Sequence, residues 1–185
     1  RQAALGLEHA HQKGLIHPDI KHSNLLAAGT LDEPPRVKIL DLGIVRFDKQ
    51  ARGEETELTQ TCEVLGTPDY MAPEQALSTK QVDIRADVYS LGCTLYNMLT
   101  GDVPFEGETS LEVMVARASH DPPHVVEHRP EVPADLDAVI YKIMAREAED
   151  RYQSPTEVTQ SLATFCDQTE VTTNSAQNAE IIIRY

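Results

Sequence analysis

The chain has 185 residues, enough for one domain built on a single core. Against 16 Lys and Arg stand 30 Asp and Glu, a formal net charge of −14 that argues against a nucleic-acid backbone or an anionic membrane surface as partner. Cys62, Cys93 and Cys166 show no C-x-x-C spacing and cannot all pair, and the chain carries no apolar targeting segment or membrane-length apolar run. Reduced thiols, a cytoplasmic setting and no membrane contact from this segment are expected.

Residues 1–13 carry Leu5, Leu7 and several alanines in a helical pattern that stops at Gly14, a residue suited to helix termination. Leu25 to Ala27 and Val37 to Leu40 read as short strands, joined by a turn over 28–36 that contains Gly29, Pro34 and Pro35. An acidic stretch follows, in which Asp48, Glu54, Glu55, Glu57 and Glu63 face only Lys49 and Arg52; a solvated loop accounts for it. Asp83 is placed to cap a helix running through Leu99 and closed by Gly101, and apolar residues on more than one face predict its burial. Thr109-Ser110-Leu111-Glu112 has capping-box spacing and opens a helix with Leu111, Val113, Met114 and Val115. Pro122, Pro123, Pro130 and Pro133 then break the chain into a loop. Leu136, Val139, Ile140, Ile143 and Met144 form one helical stripe facing a core. Ser154-Pro155-Thr156-Glu157 starts a last helix with Val158, Leu162 and Phe165, after which residues 167–185 read as a polar linker or poorly ordered tail. No internal repeat is apparent.

His17-Pro18-Asp19-Ile20-Lys21-His22-Ser23-Asn24 is followed 17 residues later by Asp41-Leu42-Gly43. Singly, H-x-D and D-x-G are common turn sequences. Together they suit phosphoryl transfer, in which a base and a metal ligand approach the transferred group from different sides. One short loop supplies Asp19 and Asn24, and the strand before Asp41 delivers a second carboxylate to the same cleft. Three further segments follow in order: Gly66-Thr67-Pro68-Asp69-Tyr70-Met71-Ala72-Pro73-Glu74, Asp87-Val88-Tyr89-Ser90-Leu91-Gly92 and Asp150-Arg151-Tyr152-Gln153-Ser154. In this order the five elements resemble those of the protein kinases, specifically the eukaryotic-like serine/threonine kinases of bacteria.

The resemblance implies a mainly α fold: the large, helical C-terminal lobe of a protein kinase, with short β-hairpin strands beside the catalytic loop. Residues 1–166 would be that lobe, with the catalytic loop at 17–24 and the activation segment at 41–74; the N-terminal ATP lobe, with its Gly-rich loop and strand lysine, is expected to be missing. The implied activity is ATP- and Mg²⁺-dependent phosphoryl transfer to Ser or Thr of a protein substrate. Asp19 would be the base, with Asn24 and Asp41 as the Mg²⁺ ligands. Lys21 would neutralise charge on the transferred phosphoryl of the nucleotide, and Thr67 would bridge toward the Asp19–Lys21 pair. Glu74 and Arg151 would form a partly buried structural ion pair, and Asp87 would accept backbone amides of the catalytic loop.

Pro18 departs from the family pattern, because it stands where the family has the arginine that receives an activating phosphate. Thr56, Thr59 and Thr61, the candidate phosphosites, thereby lose one expected partner. Proline also lacks an N–H, so one donor to Asp87 is expected to be lost. Leu42 keeps an apolar plug where the family has phenylalanine, and His22 reads as a solvent-facing loop residue. Without the other lobe the chain alone is expected to be nearly inactive, while the full-length protein can be membrane-anchored through a region not present here. The alternative is a non-catalytic, pseudokinase-like interaction module; Pro18 and the missing lobe favour it, and retention of Asp19, Lys21, Asn24 and Asp41 speaks against it.

Overall fold

The computed structural model describes residues 1–17, 19–29, 36–40, 46–47, 67–77 and 82–166, with backbone alone at 46–47 and 76–77. Helix α1 spans Gln2–His11 and buries Ala3, Ala4, Leu7 and Ala10 along one face. Its end is set by a turn in which Gly14 takes a left-handed φ of 71° and donates to His11 O at 2.8 Å. Strand β1 (Leu15–Ile16) follows at once and pairs antiparallel with β4 (Arg46–Phe47). Two-residue strands carry no periodicity, so sequence pattern had no hold on this pair.

The hairpin expected from pattern is present, with β2 (Leu25–Ala28) antiparallel to β3 (Arg36–Ile39) and Leu25 opposite Ile39. The bounds differ by one residue at Ala28 and Arg36, and Leu40 leaves the strand. Gln2 Oε1 accepts the N–H of Val37 at 2.7 Å, which fastens the hairpin to the start of α1.

Helix α2 (Pro73–Leu77) precedes α3 (Arg85–Thr100), the central helix. Ala86, Val88, Tyr89, Cys93, Thr94 and Tyr96 of α3 are all buried, so it is enclosed on several faces, as its composition predicts. Gly101 closes it with φ of 87° and an N–H donated to Asn97 O at 2.8 Å. The start differs from expectation: Ile84 takes the capping position, while Asp83 accepts the Arg85 N–H at 2.9 Å and its guanidinium as well. A side chain that engages the i+2 amide and the following arginine together makes a local turn rather than the classical cap spacing.

Helix α4 spans Ser110–Ser119, α5 Val125–His128, α6 Ala134–Ile143 and α7 Pro155–Ser161. Thr109 and Ser154 cap α4 and α7 by accepting the N–H of Glu112 and Glu157. In both, the glutamate reaches back to the residue before the cap, Glu108 or Gln153, rather than to the cap itself. Helix α5 lies where the prolines predicted only loop. It is held by the buried carboxylate of Asp137, which accepts the N–H of Val125 at 2.6 Å and meets His124 at 2.7 Å. On α4 the expected apolar set divides: Val113 is buried, whereas Leu111 and Val115 are exposed.

Two apolar clusters flank α3. One joins Ala4, Leu7, Ile20 and Ile39 to Val88, Ile143 and Val158; the other joins Tyr70 and Ala72 to Tyr89, Cys93, Val125, Ile140 and Met144. Burial pushes the Cys93 thiol up to about 11, so it stays a neutral core residue. Cys62 lies outside the described residues. Among the described residues no helix is long and apolar enough to cross a membrane.

Arg151 ties the end of the 67–77 segment to the helical body. Its guanidinium, fully buried, donates to Glu74 through Nη1 at 2.7 Å and Nη2 at 2.8 Å, and also reaches Ala145 O, Arg146 O and Arg85 O. The Tyr89 ring lies 4.8 Å from the guanidinium carbon. Arg151→Ala strands one carboxylate and three carbonyls together; we expect a loss of about 3–5 kcal/mol in urea denaturation, and an unchanged midpoint would refute the clamp. Gly92 admits α6 against α3, since a Cβ there would lie 2.6 Å from Ile143 Cγ2 and 2.7 Å from Met144 Cγ. Both contacts are near the roots of packed side chains, so Gly92→Ala should cost about 1–3 kcal/mol by overpacking, read as a lowered melting temperature.

Candidate active site

The loop after β1 is hung on the first turn of α3. Asp87, 1% exposed, accepts the backbone N–H of His17 at 2.9 Å and meets His11 Nε2 at 2.8 Å, both at Oδ2. Burial raises the Asp87 carboxyl above its ordinary range, and the donors from His11 and His17 pull against that rise. Pro18, at which one donor is expected to be lost, lies outside the described residues; among those described, Asp87 has these two partners. His11 supplies one of them; sequence reasoning missed it, and the available signal was its position four residues after Leu7, on the apolar face of α1.

His17 passes this anchorage on. The N–H of Asp19 donates to His17 Nδ1 at 3.1 Å, which puts the ring proton on Nε2, where it faces Leu40 O at 3.3 Å. Leu40 in turn donates its N–H to Asn24 O at 2.8 Å. The residue before Asp41 is thus bonded on both sides to the loop; Asp41 itself, with Thr56, Thr59 and Thr61, lies outside the described residues.

Asp19, Lys21, Asn24 and Thr67 converge. Lys21 Nζ is 2.7 Å from Asp19 Oδ2 and donates to Thr67 Oγ1 at 2.6 Å. The Thr67 N–H donates to Asp19 Oδ1 at 3.0 Å. Asn24 Nδ2 donates to Asp19 O at 2.8 Å and approaches Asp19 Oδ2 at 3.3 Å. Partial burial pushes the Asp19 carboxyl upward, but Lys21 and Thr67 outweigh it and hold the group below the usual carboxylate range. Asp19 is therefore an anion at neutral pH, fixed at the rim of the loop and only half-buried.

The second wall is the segment 67–71. Its turn Pro68–Tyr70 is held from α3 by Ser90, whose hydroxyl donates to Tyr70 O at 2.7 Å, and from α4 by Arg117, which donates to Pro68 O and Met71 O. His22 is exposed, as its loop position predicts, and meets the Tyr70 hydroxyl at 3.1 Å. Sequence reasoning missed Ser90 and Arg117. Nothing in local pattern separates a serine that spans to another segment from one facing solvent, and an arginine within an amphipathic helix reads as surface.

The arrangement suits acid–base work on a hydroxyl. A carboxylate ionised at neutral pH can take a proton from an alcohol, while an adjacent ammonium offers charge to an anion beside it. With the Asn24 amide nitrogen turned to Asp19, its carboxamide oxygen is the end left for a cation. Hard oxygen of this kind fits Mg²⁺, which is bound by few protein ligands and keeps water in its shell.

The protein kinase domain family matches residues 1–163. The serine/threonine-protein kinase PknB of Mycobacterium leprae is 40% identical over 156 residues, which is 84% of this chain and 24% of that protein. PknB of Mycobacterium tuberculosis is likewise 40% identical over 156 residues, with the same coverage. A probable serine/threonine-protein kinase of Streptomyces coelicolor is 35% identical over 174 residues, 94% of this chain and 24% of that protein. The chain thus spans about a quarter of the length of these relatives. With a match over residues 1–163, which include Asp19, Lys21, Asn24 and Thr67, the chain belongs to the protein kinase domain family.

Proposed function

We propose that residues 1–166 act as the helical lobe of a serine/threonine protein kinase that transfers a phosphoryl group from ATP to Ser or Thr of a protein, residues 167–185 being a linker-like tail. The observation that carries the reading is the interlocked set Asp19–Lys21–Thr67, a carboxylate, an ammonium and a hydroxyl within 3.0 Å steps of one another. A scaffold that only bound partners would gain nothing from holding an ionised carboxylate at an open rim.

Asp19 takes the acceptor hydroxyl proton, and Lys21 offsets charge on the side facing the transferred group. Thr67 holds both in register through its N–H and its hydroxyl. Asn24 and Asp41 are the residues to hold Mg²⁺, which when bound supplies charge neutralisation to the phosphate oxygens. Catalysis of this type consists chiefly of positioning and electrostatics, so it needs the groups that cover the nucleotide as well; we assign those to the family's nucleotide lobe in the complete protein, and the chain alone should be nearly inactive. ATP as donor fits the cytoplasm as the compartment.

In the full-length protein, Asp19→Asn should lower radiolabel transfer from ATP by about 10²–10⁴-fold. Equal incorporation in both proteins would remove Asp19 from the reaction. Because Lys21 helps hold Asp19 below the usual range, removing it raises that pKa; Lys21→Met should shift the acid limb of the pH–rate profile to higher pH, and an unmoved limb would contradict the coupling.

A further inference from the structure

Arg117 lies in the last third of α4, and its side chain is buried from solvent. Among the described residues its guanidinium makes no ion pair: Nη1 donates to Pro68 O and Met71 O, while Nε and Nη2 have no hydrogen-bond partner. The guanidinium carbon lies 5.8 Å from the Tyr89 ring centroid and 5.7 Å from that of Phe105. Burying a cation without a carboxylate is unfavourable, and leucine or methionine would fill the same helix position at lower cost. What the guanidinium supplies beyond volume is a clamp on two carbonyls of one turn. That turn starts one residue after Thr67, whose N–H and hydroxyl complete the cluster at Asp19 and Lys21. The opposite, nucleotide-facing side is fixed without Arg117, since Asn24 donates to Asp19 O within the loop and Leu40 donates to Asn24 O.

We propose that Arg117 is a positioning residue for the protein acceptor, clamping the Pro68 and Met71 carbonyls so that Thr67 stays registered against Asp19 and Lys21. The inference rests on the reading of Asp19 and Lys21 as acceptor-side groups. It assigns a helix outside the recognised motifs a part in acceptor binding and none in nucleotide binding.

The test is steady-state kinetics of the full-length protein and its Arg117→Met and Arg117→Lys variants, using the best acceptor from a synthetic Ser/Thr peptide array. Loss of two charge-assisted bonds should raise the peptide KM of Arg117→Met about tenfold while the ATP KM stays within about twofold. A merely structural defect would reduce the folded fraction, lowering apparent kcat with both KM values unchanged. Arg117→Lys keeps the charge without the fork and should raise the peptide KM about threefold. If Arg117→Met is not recovered folded, Arg117→Lys decides by the same criterion. A peptide KM equal to wild type in a folded variant, or peptide and ATP KM rising together, overturns the inference. An Asp19→Asn control separates the two levels: retained transfer there, or an array with no labelled peptide, overturns the underlying reading instead.

Discussion

The buried carboxylate of Asp87 is the point from which the site is hung. It sits in the first turn of α3, where the helix N-terminus favours a negative charge, and takes donors from His17 N–H and His11. Burial alone would drive the group toward its neutral form, so the two donors are what make a carboxylate tolerable there. Through His17 the same anchorage reaches the Asp19 amide and Leu40, and through Leu40 it reaches Asn24. A chain of short polar links thus converts the position of one helix into the position of three loop residues.

The opposite wall refers to the same helix. Ser90 holds Tyr70, Tyr89 and Phe105 flank the Arg117 guanidinium, and Arg151 packs on Tyr89 while it grips Glu74. Both sides of the cleft are therefore registered to α3, and among the described residues they meet through Thr67, which bonds Asp19 and Lys21, and through the His22–Tyr70 contact. This division leaves few residues at the cleft itself and many buried polar groups around it. The carbonyls of Pro68, Tyr70 and Met71 each take a side-chain donor, from Arg117 or Ser90, as main-chain oxygens require when buried.

Periodicity and cap chemistry made most of the helices legible. Ile140, Ile143 and Met144 fall on one stripe, Gly101 ends α3, and Thr109 and Ser154 start α4 and α7, because each of these rests on interactions within one turn or one face. The spacing of Asp19, Lys21 and Asn24 was legible for the same reason. What escaped is non-local. The β1–β4 pair joins residues about thirty apart through two short segments, and α5 depends on Asp137, which reaches it from the following helix. The second donor to Asp87 is also non-local, coming from the His11 ring of α1. Arg117 escaped because its partners are main-chain oxygens, which sequence does not distinguish from any others.

The central claim is that Asp87 holds the loop carrying Asp19 through the amide of His17. Residue-resolved hydrogen exchange on the wild type and Asp87→Ala tests it most directly. The account predicts that the His17 amide is protected in the wild type and loses at least about tenfold of that protection in Asp87→Ala, while amides of α6 keep theirs. Equal protection of His17 in the two proteins would contradict it.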